Sequence, residues 1–217
     1  MNKIKDNLLS IKSTLPENVT LVAVSKTKPV SDLTEAYNAG QRIFGENKIQ
    51  EMTDKFEEMP KDIQWHMIGH VQTNKVKFMA PYVSLIHGVD SLKLLEEINK
   101  QALKNNRIID CLLQIHIAEE ETKFGLDEQE LSTLLNSNEF KNLANIKVKG
   151  LMGMATFTEN PEQVKKEFNY LKKLYDQFSP PNSPFSILSM GMSGDYQLAI
   201  ESGSTMVRIG SSIFGGR

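Results

Sequence analysis

Residues 19–28 read Val-Thr-Leu-Val-Ala-Val-Ser-Lys-Thr-Lys. Leu21–Val24 contains no polar residue, the pattern of a strand covered on both faces. No G-x-G-x-x-G follows it, which counts against an open, doubly wound nucleotide-binding sheet. The apolar run ends in Ser25 and Lys26. Burial disfavours the charged form of a lysine, because the ammonium loses its water. A partly neutral lysine at a strand end is a nucleophile that condenses with carbonyl compounds.

Working outward from this strand, the chain alternates strand-like and helix-like segments. Strands are predicted at Thr20–Ser25, Arg42–Gly45, Gln64–Ile68, Ser84–Gly88, Asp110–Ile117, Lys147–Met152, Phe185–Met190 and Thr205–Ile209. Helices are predicted at Ser31–Ala39, Lys48–Met59, Thr73–Met79, Ser91–Asn105, Asp127–Asn136, Pro161–Phe178 and Ser193–Ser202. Pro161 stands in a first turn, where its missing N–H costs nothing. Strict alternation implies parallel strands joined by helical crossovers. Eight such units close into an α/β architecture, the (β/α)8 TIM barrel. An amphipathic helix is predicted in front of it at about residues 2–15, with Ile4, Leu8, Ile11 and Leu15 at helical spacing. Lysines and asparagines in that segment break any signal-peptide core. The Pro-rich piece Ser179–Pro184 reads as a turn. The chain reaches Arg217 just after the eighth strand, so a single domain over 1–217 is expected.

The 217 residues carry a net charge of −2, which gives no basic footprint for nucleic acid. No stretch approaches the roughly 20 apolar residues that span a bilayer. The single cysteine, Cys111, lies in an apolar run and reads as a buried thiol; a cytoplasmic location fits this.

The polar residues fall where a barrel places its site, at the C-terminal ends of the strands. Strand one ends in Lys26, strand two in Glu46-Asn47, strand seven in Gly191-Met192-Ser193-Gly194-Asp195, and strand eight in Arg208-Ile209-Gly210-Ser211-Ser212. Glycines and serines at helix starts offer N–H groups and hydroxyls to phosphate. In this fold phosphate sites recur after strands seven and eight. A carbonyl-seeking lysine across the barrel from an anion cradle fits a phosphorylated aldehyde, and pyridoxal 5'-phosphate (PLP) has that shape. Lys26 and Lys28 share side-chain parity, so an extended strand would let both point inward. Lys26, closer to the apolar run, is the favoured imine lysine, and Lys28, just before Pro29, is expected at the rim. His66 and His70 would lie about 13 Å apart in a strand and could not share one zinc. Glu119, Glu120 and Glu121 read as a solvated loop.

Six ordered blocks resemble the YggS/PROSC family of PLP-binding, PLP-homeostasis proteins. They are AVSKTKP at Ala23–Pro29, FGENKIQE at Phe44–Glu51, WHMIGHVQTNK at Trp65–Lys75, GLMGM at Gly150–Met154, LSMGMSGDYQLAI at Leu188–Ile200 and GSTMVRIGSSIFG at Gly203–Gly215. The resemblance implies a fold-type III barrel like the N-terminal domain of alanine racemase, with PLP as the cofactor. It implies that Lys26 carries PLP as a Schiff base, that Arg208 faces the pyridine nitrogen and that Asn47 lies beside the ring. Ser193, Gly210 and Ser211 then fall at the phosphate. His116 departs from the family, where a smaller polar residue such as asparagine is expected. The implied function is intracellular PLP homeostasis by a monomer that passes cofactor to apo PLP-dependent enzymes. A racemase needs acid–base groups on both faces of its carbanion, and no second base is evident here. A weak amino-acid racemase and a phosphosugar barrel with an aldolase-type lysine stand as alternatives.

Overall fold

The computed structural model describes residues 3–120, 124–179 and 185–216. Eight strands form a closed, all-parallel barrel in sequence order: β1 (Thr20–Val24), β2 (Ile43–Glu46), β3 (Gln64–Met67), β4 (Leu85–Val89), β5 (Ile109–Ile115), β6 (Ile146–Gly153), β7 (Ile187–Ser189) and β8 (Met206–Ile209). Closure is made by β1 against β8, with Thr20 opposite Met206 and Val22 opposite Arg208. The helices are α1 (Lys3–Thr14), α2 (Val30–Asn38), α3 (Ile49–Glu58), α4 (Val76–Met79), α5 (Leu92–Lys104), α6 (Glu128–Asn136), α7 (Asn138–Lys141), α8 (Pro161–Phe178), α9 (Tyr196–Glu201) and α10 (Ser211–Phe214).

The strands repeat with period two, and each face has its own core. Leu21, Ala23, Phe44, Trp65, Ile86, Leu113 and Leu188 turn outward and pack under the helices. Val22, Leu85, Leu112, Met152 and Met206 form a separate cluster inside the barrel. Local chemistry sets the helix starts. Asp127 Oδ1 accepts from Glu130 N at 2.7 Å and Glu130 Oε2 accepts from Asp127 N at 2.9 Å, a reciprocal cap on α6. Asn160 caps α8, with Pro161 next in line. Helix α1 buries Leu8 and Ile11 and packs against α2 and α10, so it covers the seam where β8 meets β1.

Three expectations change at the edges. The segment from Ser193 becomes helical only at Tyr196, because Asp195 Oδ1 turns back to accept from Met192 N at 2.5 Å. The segment from Thr73 begins as a 3-10 turn, Thr73–Lys75, before α4. The short helices α7 and α10 were not anticipated. Residues 180–184 of the Pro-rich piece, and Glu121, lie outside the described residues. Among the described residues no helix is long and apolar enough to cross a membrane.

Candidate functional site

At the C-terminal ends of the strands the barrel opens into a cavity of about 590 Å³. Lys26, Asn47, Ser193, Arg208, Gly210 and Ser211, brought from four strand ends, all line it. Its charged lining residues are Lys26, Lys28, Arg208 and Asp195, three cations against one carboxylate. Val24, Ile68, Met154, Ala155 and Val164 supply apolar wall.

Each side chain owes its place to the strand beneath it. Lys26 continues the inward series of Val22 and Val24. The strand itself ends at Val24, and residues 25–28 form a turn in which Thr27 has φ +63°. Left-handed backbone is a genuine outlier for a β-branched residue and costs about 1–3 kcal/mol. Strand parity therefore stops short of Lys28. Lys28 Nζ instead donates to the carbonyls of Phe214, at 3.2 Å, and Gly216, at 2.9 Å, on the rim. Asn47 is braced by Gly69, where a Cβ would sit 2.5 Å from the Asn47 carbonyl oxygen. The Gly/Ser turns lie beside β1 and not across the barrel, because β8 pairs with β1. Ser193 Oγ accepts from Gly210 N at 3.2 Å and Ser212 N at 3.5 Å, so the two turns converge.

Arg208 lies inside the barrel at the end of β8. It is 3% exposed and runs through the interior. Its Nη1 donates to Ser189 Oγ at 2.5 Å and its Nη2 to the Gly153 carbonyl at 3.0 Å. Burial pushes the guanidinium down to about 10, against the pull of Asp195, and it stays charged at neutral pH. Beyond Ser189 a polar string crosses the barrel. Ser189 Oγ lies 3.2 Å from His87 Nδ1, and His87 Nε2 lies 3.1 Å from His66 Nδ1. Arginine accepts nothing, so Ser189 Oγ accepts from Arg208, and the neutral His87 tautomer with its hydrogen on Nε2 gives the Ser189 hydroxyl an acceptor at His87 Nδ1. Through Nε2 the same tautomer donates to His66. Burial alone holds His66 at about 3; burial, with His66 and Arg208 nearby, holds His87 well below the usual imidazole range. Both rings are neutral.

Other residues differ from the sequence reading. His116 does not line the cavity; its Nε2 lies 3.0 Å from the Glu120 carbonyl. His70 sits in the loop after β3, 3.7 Å from Asp90, with its ring stacked on Phe124. The acidic loop is more than solvated surface. Glu120 Oε1 accepts from Phe157 N at 3.1 Å, and Glu119 N donates to Thr156 Oγ1 at 3.0 Å. These bonds hold the β6–α8 loop, whose Thr156, Phe157 and Thr158 line the cavity and went unnoticed in the sequence. Thr156 follows Met154 by two residues past β6, the same strand-end logic that marked Lys26 and Asn47.

Fold and site together define a class. Residues 1–217 match the family described as "Alanine racemase, N-terminal domain". Alanine racemase of Clostridium difficile 630 superposes with a TM-score of 0.85 at 16% identity, covering 100% of this chain and 57% of that one, a likeness of fold alone. Within that class, the chain belongs to the pyridoxal phosphate homeostasis protein family. It is 43% identical to the protein of that name from Aquifex aeolicus, over 91% of this chain and 86% of that one. PipY of Synechococcus elongatus PCC7942, solved without PLP, superposes with a TM-score of 0.91 at 34% identity, covering 98% of this chain and 100% of that one. PipY has also been solved with PLP bound, and that structure superposes with a TM-score of 0.89.

Proposed function

We propose that this protein binds PLP on Lys26 and serves intracellular PLP homeostasis, holding the cofactor and passing it to apo-enzymes as a cytoplasmic monomer. The observation that carries this reading is the single cavity with Lys26 on one wall and the converging turns of Ser193, Gly210 and Ser211 on another. The family name and the PLP-bound form of PipY support it.

The residues present fit the group. A phosphate dianion asks for N–H and hydroxyl donors in a positive field, and the lining has three cations. A Cβ at Gly210 would come 3.1 Å from the Val24 carbonyl oxygen, so glycine keeps that approach open. Ser193, Gly210 and Ser211 hold the phosphate, and Asn47 and the apolar wall orient the ring. Arg208 presents a fixed proton donor to the ring nitrogen. When bound, PLP supplies the aldehyde that takes up the Lys26 amine and, with a protonated ring, an electron sink. A guanidinium that keeps its charge does not protonate that nitrogen, so Arg208 leaves the sink weak.

Carriage is favoured over catalysis by the lining itself. Asp195 is the only carboxylate among the described lining residues, and that group is engaged by Met192 N. Among the described lining residues no tyrosine, histidine or cysteine stands ready as a second base. The test is the absorbance of the purified protein with PLP, followed by borohydride reduction and peptide mapping. The label is expected on Lys26 and absent from Lys26→Ala. Transfer to an apo-enzyme should follow mixing. Sustained inversion of D- or L-amino acids that depends on Lys26 would defeat the carrier reading in favour of a racemase.

A further inference from the structure

Lys26 is held from behind, on the side away from the cavity. Helix α3 carries Glu51 and Lys55 one turn apart, facing the outer surface of the barrel. Lys55 is 5% exposed and Glu46, at the end of β2, is fully buried. Lys55 Nζ donates to Glu46 Oε1, Glu51 Oε1 and the Ser25 carbonyl, each at 2.8 Å. Ser25 Oγ donates to the same Glu46 oxygen at 2.6 Å. Glu51 Oε1 also accepts from Thr27 N at 2.6 Å. The Ser25 carbonyl receives Lys28 N at 3.1 Å, closing the turn. The main-chain groups just before and just after Lys26 thus end on one cluster of a cation and two carboxylates.

None of Ser25, Glu46, Glu51 and Lys55 lines the cavity. The cluster lies behind the cavity wall and reaches the backbone of residues 25–28 through the Ser25 carbonyl and the Thr27 amide. Its position answers a local need. Thr27 is one of two non-glycine residues with positive φ among those described, and it is β-branched. A left-handed threonine persists only where its surroundings over-determine it. The short bond from its amide to Glu51 supplies that constraint.

We propose that Glu51, backed by Lys55 and Glu46, is a positioning residue for Lys26. It clamps the Thr27 amide in the left-handed turn, so that residues 25–28 hold one conformation and the Lys26 amine is kept at one place in the cavity instead of shifting with a relaxed, extended backbone. The inference rests on Lys26 being the covalent anchor proposed above.

The test separates reaction at the amine from binding at the anion cradle. Covalent loading is followed by quenching with borohydride at intervals and counting label on Lys26. Cradle binding is followed with pyridoxine 5'-phosphate, which has the phosphate and no aldehyde. A misplacement of about 1 Å can cost a reaction about 100-fold, so Glu51→Ala is expected to load at least about tenfold more slowly. Its affinity for pyridoxine 5'-phosphate should stay within about twofold, since the cradle is untouched. Glu51→Gln keeps an acceptor oxygen for Thr27 and should recover loading to within about threefold. If the alanine variant does not fold, Glu51→Asp, one methylene shorter, carries the test with the same sign. Loading at the wild-type rate in the alanine or aspartate variant overturns the clamp. So does equal loss of loading and of pyridoxine 5'-phosphate binding, or a glutamine variant as slow as the alanine one. A wild-type protein that takes no label on Lys26 overturns the proposed function and the clamp with it, whereas labelled wild type with unaffected variants overturns the clamp alone.

Discussion

On three strands the barrel interior changes from apolar to polar within two residues. Leu85 is followed by His87 on β4, Ile187 by Ser189 on β7, and Met206 by Arg208 on β8. The apolar members join Val22, Leu112 and Met152 in a plug toward the N-terminal ends. The polar members join His66 in a string toward the cavity. The two regions share the same strands and closure, yet they answer different demands. The plug gains from every buried methylene. The string gives up that gain and holds one guanidinium under the cavity floor. A buried charge is weak evidence for stability, so its placement points to the ligand.

The comparison can be broken first at the plug. Leu112 is fully buried, and Leu112→Ala should cost about 2–5 kcal/mol of unfolding free energy. Denaturant unfolding measures this, and the fraction that remains folded should bind PLP as wild type does. A large loss of PLP affinity with little loss of stability would erase the distinction between the regions.

The response of the string to acid is of similar size. His66 and His87 are held neutral, so their folded pKa values lie below the unfolded value of about 6.5. The unfolded chain binds more protons between that value and the folded ones. The stability they contribute is therefore whole above about pH 6.5 and drains away as pH falls toward 3, at about 1.4 kcal/mol per pH unit for each ring. Unfolding free energies between pH 7 and 4.5 should show this slope, and His87→Gln should remove one ring's share. Identical slopes in wild type and variant would place the titration elsewhere.

The smallest effect sharpens the comparison most. Arg208→Met replaces a buried charge with an apolar chain of similar length, and the desolvation it relieves offsets the Gly153 carbonyl and Ser189 hydroxyl it leaves without their donor. Its unfolding free energy should stay within about 1.5 kcal/mol of wild type. PLP affinity should fall about tenfold, or about 1.4 kcal/mol. Titration of both proteins with PLP, beside their denaturant curves, tests the split.

Much of the barrel was legible because its signals are local. The run at Leu21–Val24, the alternation after it and the glycines closing α2 and α9 report on neighbouring residues only. The polar strand ends were legible for the same reason: Lys26, Asn47 and Arg208 each stand one or two steps beyond an apolar run. Contacts that close across the barrel were not. His87 and Ser189 lie on β4 and β7, which are not neighbours in the sheet, and only the closed ring brings them within 3.2 Å. The cluster behind Lys26 gave a partial signal. Glu51 and Lys55 are four apart on a helix, a spacing that reads as an ordinary surface pair. Burial turns it into something else, because Glu46 and the Ser25 carbonyl arrive from two strands. Lys28 was legible at the rim from its place before Pro29, whereas parity alone would have turned it inward. Parity assumes an extended chain, and Thr27 breaks that assumption with a backbone angle no residue pattern announces.

With His87 carrying its hydrogen on Nε2, the string from Arg208 to His66 runs in one direction, each group handing a hydrogen to the next. An imidazole at its far end, remote from any ligand, is therefore an antenna. Filling the cavity repolarises the guanidinium, and the nitrogen resonances of His66 should move in step, so occupancy can be watched from inside the barrel without a label on the cofactor.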